Sequence, residues 1–161
     1  MNYKIRRATV LDMDEIIKLC NEHAEYEGAT YSKDGKAERL SKFLFNDNPV
    51  VHCLIAENEG EIVGYATYSF EFSTWEAGYY THVDCLYLRS SARGQGIGEA
   101  MMREIACRTK AKGLCQMQWQ TPISNEKAIG FYERLGATAK EKLRFYFNDD
   151  LINQFIKTQN L

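Results

Sequence analysis

The sequence predicts a single α+β domain in three layers, with one mixed, mostly antiparallel sheet flanked by helices. Three observations lead there. Apolar periodicity switches between the two-residue repeat of strands and the 3.6-residue repeat of helices, in the order β α α β β β α β α β. A chain of 161 residues is long enough to bury its own core. No linker, internal repeat or low-complexity tract divides residues 1–161, so one domain is expected throughout.

Residues 3–8 read as the first strand. Thr9 or Asp12 is placed to N-cap a helix in which Met13, Ile16, Ile17, Cys20 and Ala24 share a face, and Gly28 closes it. A second helix is expected over 34–45, stopped by Asn46-Asp47-Asn48-Pro49. Strands at 50–56 and 62–72 form a hairpin around Glu57-Asn58-Glu59-Gly60, and 79–88 is a third long strand. In the helix that follows, Ile97, Met101 and Ile105 line one face, while Glu99–Arg103 and Glu104–Arg108 are spaced as exposed ion pairs. A strand over 114–121 ends at Pro122. Asn125 then caps a helix with a buried stripe of Ala128, Phe131, Tyr132 and Leu135, and Gly136 stops it. A strand near 138–147 and an amphipathic tail (Leu151, Ile152, Phe155, Ile156) complete the pattern.

A net charge of −2 lacks the basic face of a nucleic-acid binder and suits a cationic substrate better than an anionic one. Of the five cysteines, Cys20, Cys53, Cys85 and Cys107 sit in apolar surroundings and read as reduced core thiols; Cys115 completes the set. None is spaced for a metal, so no metal is expected. Lys4, Arg6 and Arg7 break any early apolar run, and no apolar stretch reaches membrane-spanning length. A cytoplasmic protein with no membrane and no nucleic-acid partner is expected.

The run Leu88-Arg89-Ser90-Ser91-Ala92-Arg93-Gly94-Gln95-Gly96-Ile97-Gly98 carries the most chemistry. Glycines at every second position let a backbone curl tightly around an anion, and the next helix adds its free N–H groups and positive dipole end. This is a pyrophosphate cradle. The dinucleotide fingerprint fails because its third glycine falls on Glu99, and no lysine follows as a P-loop requires. The pattern that fits is R-x-x-G-x-G, with Arg93, Gly96 and Gly98, and it resembles the acetyl-CoA motif of the GCN5-related N-acetyltransferases. The segment Asn125 to Ala137 resembles the same superfamily's second hallmark, N-x-x-A-x-x-F-Y-x-x-x-G-A. Gly130 inside that helix costs about 1 kcal/mol relative to alanine, which points to close packing.

The resemblance implies the acyl-CoA N-acyltransferase fold and acetyl-CoA as cosubstrate. It places Leu86, Tyr87, Leu88, Arg93, Gly94, Gln95, Gly96, Ile97, Gly98, Glu99, Asn125, Ala128 and Tyr132 along that cosubstrate, with the strand before the cradle splayed from its neighbour. Tyr132 would protonate the departing thiolate, and main-chain donors near Leu86 would steady the oxyanion. Strand alternation puts Tyr80, His82 and Asp84 on one side. Asp84 interrupts an apolar run, and an unpaired buried carboxylate needs a partner or a role, so it is the candidate base, with His82 second. His82 reads first as an ordinary strand residue.

Ile5-Arg6-Arg7-Ala8-Thr9, Ala24-Glu25-Tyr26-Glu27, Ile62-Val63-Gly64-Tyr65-Ala66 and Phe72-Ser73-Thr74-Trp75 extend the similarity to the diamine (spermidine/spermine) acetyltransferases. That subgroup implies acidic grips on a polyamine, here Glu27, Asp84 and Glu141, and a homodimer. Two departures bear on the acceptor: the subgroup has Glu-Asp where this chain has Asp84-Cys85, and Trp119-Gln120-Thr121-Pro122 differs at the acceptor edge. The expectation is direct attack by a small cationic primary amine in a ternary complex. A protein, amino acid or aminoglycoside amine remains open, as does a non-catalytic acetyl-CoA-binding module.

Overall fold

The computed structural model describes residues 2–158, which fall into two compact units divided between Pro122 and Ile123. The first holds β1 (Tyr3–Arg7), α1 (Met13–Tyr26), α2 (Lys36–Leu44), β2 (Val51–Asn58), β3 (Glu61–Ser73), β4 (Gly78–Leu88), α3 (Ile97–Ala111) and β5 (Met117–Gln118). Single 3-10 turns at Val10–Asp12 and Ser90–Ala92 precede α1 and α3. The second unit holds α4 (Glu126–Arg134) and α5 (Asp149–Lys157).

The strands form one sheet in the order β1-β2-β3-β4-β5, antiparallel up to β4 and parallel between β4 and β5. Period-two alternation sorts its side chains onto two faces. Cys53, Ile55 and Tyr65 pack against Met13, Ile16, Ile17, Leu19 and Leu44, with Cys85 and Tyr87 at the margin of that cluster. Leu54, Ala66, Tyr68 and Val83 are buried on the other face, where the Thr81 and Thr109 hydroxyls meet at 2.7 Å and join β4 to α3. α3 buries Ile97, Met101 and Ile105, each side chain contributing about 1.5–3 kcal/mol. Helix, sheet and helix make three layers within this unit, the fold class the sequence predicts.

The start of α1 is tied by an arginine. Arg6 grips Asp12 with two hydrogen bonds of 2.7 and 2.8 Å and reaches Glu57 at 2.7 Å, joining β1, β2 and the start of α1. Thr9 donates its N–H and hydroxyl to the same Asp12 carboxylate, at 2.7 and 3.0 Å. The expected i,i+4 pairs Glu99–Arg103 and Glu104–Arg108 both form, at 2.7 Å.

Several expectations are corrected. The strand expected over 114–121 shortens to Met117–Gln118, and residues 138–147 form no strand. Leu143, Phe145 and Phe147 alternate as strand residues do, yet all are exposed; alternation yields a strand only where a neighbouring edge takes up its register. The α4 stripe is only half-buried, with no fully buried residue. Cys107 is exposed rather than in the core, because it lies off the Ile97–Met101–Ile105 face of α3. No helix among the described residues is long and apolar enough to cross a membrane.

Candidate active site

Asp84 is the residue whose setting differs most from expectation. Thr67 pairs with Cys85 and Tyr68 with Val83, so Asp84 has no partner across the β3–β4 ladder: it sits in a β-bulge. Bulges re-aim side chains and interrupt pairing, and Asp84 is exposed, not buried in an apolar strand. The bulge also reverses the strand's parity. His82 pairs with Ser69 and Cys85 with Thr67, so both lie on the α1 face despite their odd spacing. Farther along that face, Tyr80 donates its hydroxyl to Glu71 at 2.7 Å.

The ladder between β4 and β5 ends at His82 and Gln118. From Val83 to Leu88 the edge of β4 has no ladder partner on that side among the described residues, which leaves main-chain groups there, the Leu88 carbonyl excepted, for another occupant. On the opposite side, Gly64 lets β3 approach closely. A Cβ there would lie 2.5 Å from the Tyr87 carbonyl oxygen and would collide with the Leu88 side chain.

Beyond Leu88 the chain is held by Arg89. Its N–H donates to Val63 O at 2.9 Å, and its guanidinium reaches Glu22 at 2.7 Å, Glu15 at 2.6 Å and Ile62 O at 2.8 Å. These bonds lock α1 to the end of β4, and the Glu22 bond leads in pushing the Arg89 pKa above its ordinary value. The turn that follows is open. Gly94 and Gly96 adopt left-handed φ of 75° and 78°, and no atom lies within 4 Å of where a Cβ would stand on either. Gly96 is the N-cap of α3 and has no side chain with which to cap that end, which leaves main-chain N–H groups of the first turn for an anion. An open turn of this kind suits a phosphate. Gln95 folds back to donate to Ser91 O at 2.8 Å. Arg93 donates to Leu88 O at 2.8 Å and stacks over Tyr26, 4.4 Å from the ring centre.

Glu27 follows α1 directly, and its carboxylate lies 3.4 Å from His23 Nε2. His23 Nδ1 is 3.1 Å from the Tyr65 hydroxyl, and its ring stacks on Tyr87 at 5.1 Å. Burial pulls the His23 pKa below the ordinary imidazole value, while Glu27 and Asp84 oppose that shift. Glu27 and Tyr87 therefore contact one imidazole, and the charges of Asp84 and Arg93 act on it. No local pattern singled out His23 or Gly64; the i,i+4 spacing of His23 and Glu27 was the available hint.

In the second unit, Asn125 caps α4 as expected, its side chain accepting from the Ala128 N–H at 3.2 Å. Tyr132 is half-buried beside Phe131, with ring centres 5.1 Å apart. Asn125 and Tyr132 are two helical turns apart, which sets them on one side of α4. Glu141 is exposed in the irregular segment after that helix.

The model of the acetyltransferase (GNAT) family matches residues 14–137. A thialysine N-epsilon-acetyltransferase from Mus musculus is 33% identical over 142 residues, 83% of each chain. A spermidine/spermine N(1)-acetyltransferase-like protein from Homo sapiens is 31% identical over 84% of this chain, a match covering 20% of that longer protein. Among solved structures, an integron cassette protein from the mobile metagenome of V. cholerae superposes with a TM-score of 0.81. It covers 98% of this chain and 99% of its own at 24% identity, a likeness of fold.

Proposed function

The chain belongs to the acetyltransferase (GNAT) family, and we propose that it acetylates a primary amine of a small cationic acceptor of the thialysine or diamine kind. It is an acetyl-CoA-dependent N-acetyltransferase, and acetyl-CoA supplies the activated acetyl group. One observation carries the assignment of the site: the unpaired edge of β4 runs straight into an open left-handed Gly94–Gly96 turn at an uncapped helix start.

Gly94, Gln95, Gly96, Ile97, Gly98 and Glu99 would offer backbone N–H groups to the phosphates, with Arg93 swinging from Tyr26 to join them. Leu86, Tyr87 and Leu88 would hold the pantetheine arm through their main chain, with a donor near Leu86 on the acyl oxygen. Asn125 and Ala128 would contact the same cosubstrate, and the Tyr132 phenol would donate a proton to the departing sulfur. These roles rest on the two motifs. On this reading residues 1–161 would form one catalytic domain, a reading supported by the family match over residues 14–137, which extends across the division between the units.

Asp84 would take the proton of the incoming ammonium, directly or through water. Its exposure at the bulge gives an acceptor access that a buried carboxylate lacks. Glu27 would hold a second positive group, and Glu141 a third where the acceptor is long enough. The names of both curated relatives refer to amines on flexible chains, which supports an acceptor of that type.

The test is CoA-thiol release from acetyl-CoA with thialysine, lysine, putrescine, spermidine, spermine, an aminoglycoside and a basic peptide. A protein-only blank is needed because Cys107 and Cys115 are exposed thiols. Release with thialysine or polyamines is expected. Release confined to the aminoglycoside or the peptide would refute the acceptor class, and no release with any amine would refute the whole reading.

A further inference from the structure

We propose that His23 is the positioning residue of the acceptor subsite: neutral, it aims Glu27 at the cationic amine, and protonated, it competes with that amine for Glu27 and Asp84. The inference rests on the acceptor reading above and adds to it a residue that neither sequence motif contains.

The Glu27 charge selects the tautomer. Its carboxylate oxygen lies 3.4 Å from His23 Nε2, an ion-pair distance, and favours the proton on Nε2. In that tautomer Nδ1 accepts from the Tyr65 hydroxyl at 3.1 Å. Tyr65 keeps its proton, because burial drives its pKa far above the usual phenol range. Tyr87 stacks on the ring at 5.1 Å with planes 24° apart, and Tyr65 meets it edge-on at 6.1 Å. Hydrogen-bonded at Nδ1, stacked on Tyr87 and with its side chain 17% exposed, the imidazole has one seat. Glu27, by contrast, is 38% exposed and terminates a helix, so His23 supplies the restraint that directs it.

The charged or titratable groups acting on His23 come from every element around it: Glu27 at the end of its own helix, Tyr65 from β3, Asp84 and Tyr87 from β4, and Arg93 from the cradle loop. Burial and Arg93 disfavour imidazolium, while Glu27 and Asp84 favour it. A bound ammonium would neutralise the two carboxylates and remove that support. Binding linkage is reciprocal, so a proton on His23 weakens the amine as much as the amine weakens the proton. The competition acts at low pH, since His23 titrates below the usual 6.5.

The experiment measures acceptor KM and kcat across pH 5–8 for the full chain, with the amine that supports release, in wild type, His23→Gln and His23→Leu. Gln keeps an amide near Nε2 to hold Glu27 but takes no proton. Relative to His23→Gln, the wild-type KM should rise as pH falls, approaching tenfold per pH unit below the His23 pKa, while kcat moves little. His23→Leu should raise KM at every pH, because Glu27 is released. Parallel wild-type and Gln profiles, or equal Gln and Leu effects, would overturn the proposal. A second measurement needs no stable variant for its readout: the imidazole Hε1 titrations of wild type with and without spermidine. The most buried of the three histidine resonances should shift its midpoint downward on binding, and an unmoved midpoint in a protein that acetylates spermidine overturns the inference alone. An absence of turnover with every amine overturns the acceptor reading and this inference with it.

Discussion

Asp12→Asn removes the charge on which the start of α1 depends, and the structure gives the size of the effect. The Asp12 side chain is 8% exposed and Arg6 is 23% exposed, so solvent screening removes little of their attraction. Hydrogen bonding from Arg6 leads the contributions that hold the Asp12 carboxyl at about 2, below the usual 3.8, with Thr9 adding to it. A difference of that size corresponds to about 2.5 kcal/mol of stability at neutral pH. The sign follows from the direction of the shift. A carboxyl with a depressed folded pKa stabilises fully above its unfolded value near 3.8 and loses that contribution as pH falls through about 2. About half should remain at pH 3.

Asparagine can still accept from Thr9, so the loss reports the charge rather than the cap. Urea unfolding followed by circular dichroism should show Asp12→Asn destabilised by about 2 kcal/mol at pH 7. A chain of this length should melt about 4–8 °C earlier. The gap to wild type should narrow below pH 4. Glu57→Gln, at a side chain 27% exposed, should cost under about 1 kcal/mol. A gap at pH 7 below about 0.5 kcal/mol, or one that stays constant from pH 7 to pH 3, would refute the reasoning.

Gly64→Ala should destabilise the fold by about 1–3 kcal/mol and raise the acetyl-CoA KM, since its Cβ forces Leu88 and the Tyr87 carbonyl away; thermal melts with wild-type KM would contradict this. Asp84→Asn should lower kcat/KM by about 10²–10⁴-fold, with recovery as pH approaches the amine's own pKa. Pre-steady-state proton release in the same variant checks the base assignment, and a loss that persists at high pH would refute it. Tyr132→Phe should reduce kcat by a similar factor of about 10²–10⁴ while acetyl-CoA affinity, read by calorimetry, holds; unchanged turnover removes Tyr132 as the acid.

β1 to β4 and α1 to α3 were legible because each carries its own signal: period-two runs, period-3.6 stripes, and a glycine turn between β4 and α3. The turn that the cradle reading rests on was legible for the same reason, since Gly94 and Gly96 adopt the left-handed backbone that glycine permits. What was illegible depends on partners far away in the chain. Arg89 reads as one basic residue in a motif, yet it binds Glu22 and Glu15 across 67 and 74 positions. His23 and Tyr65, 42 residues apart, meet only once α1 lies on the sheet. Residues 138–147 show the converse failure: Leu143, Phe145 and Phe147 carry the strand pattern without a ladder to satisfy it.

The bulge at Asp84 connects the fold to the chemistry more directly than either motif. In an unbroken β4, residues with the parity of Thr81 and Val83 would stay on the α3 face, and Cys85 and Tyr87 would follow them. The unpaired residue instead turns Tyr87 to the α1 face, where His23 stacks on it, and leaves Asp84 exposed beside the unladdered edge. One inserted position thereby sets the exposure of the candidate base, the seat of His23 and the facing of the strand that leads into the cradle. Deleting Asp84 and substituting it are consequently different perturbations. Deletion should reverse residues 85–88 and displace Tyr87 from His23, whereas Asp84→Asn should preserve the register and remove the carboxylate's charge. A loss shared by both variants cannot be assigned to the base alone, while activity regained at high pH in Asp84→Asn, and not in the deletion, separates the carboxylate's chemistry from the geometry that its position imposes.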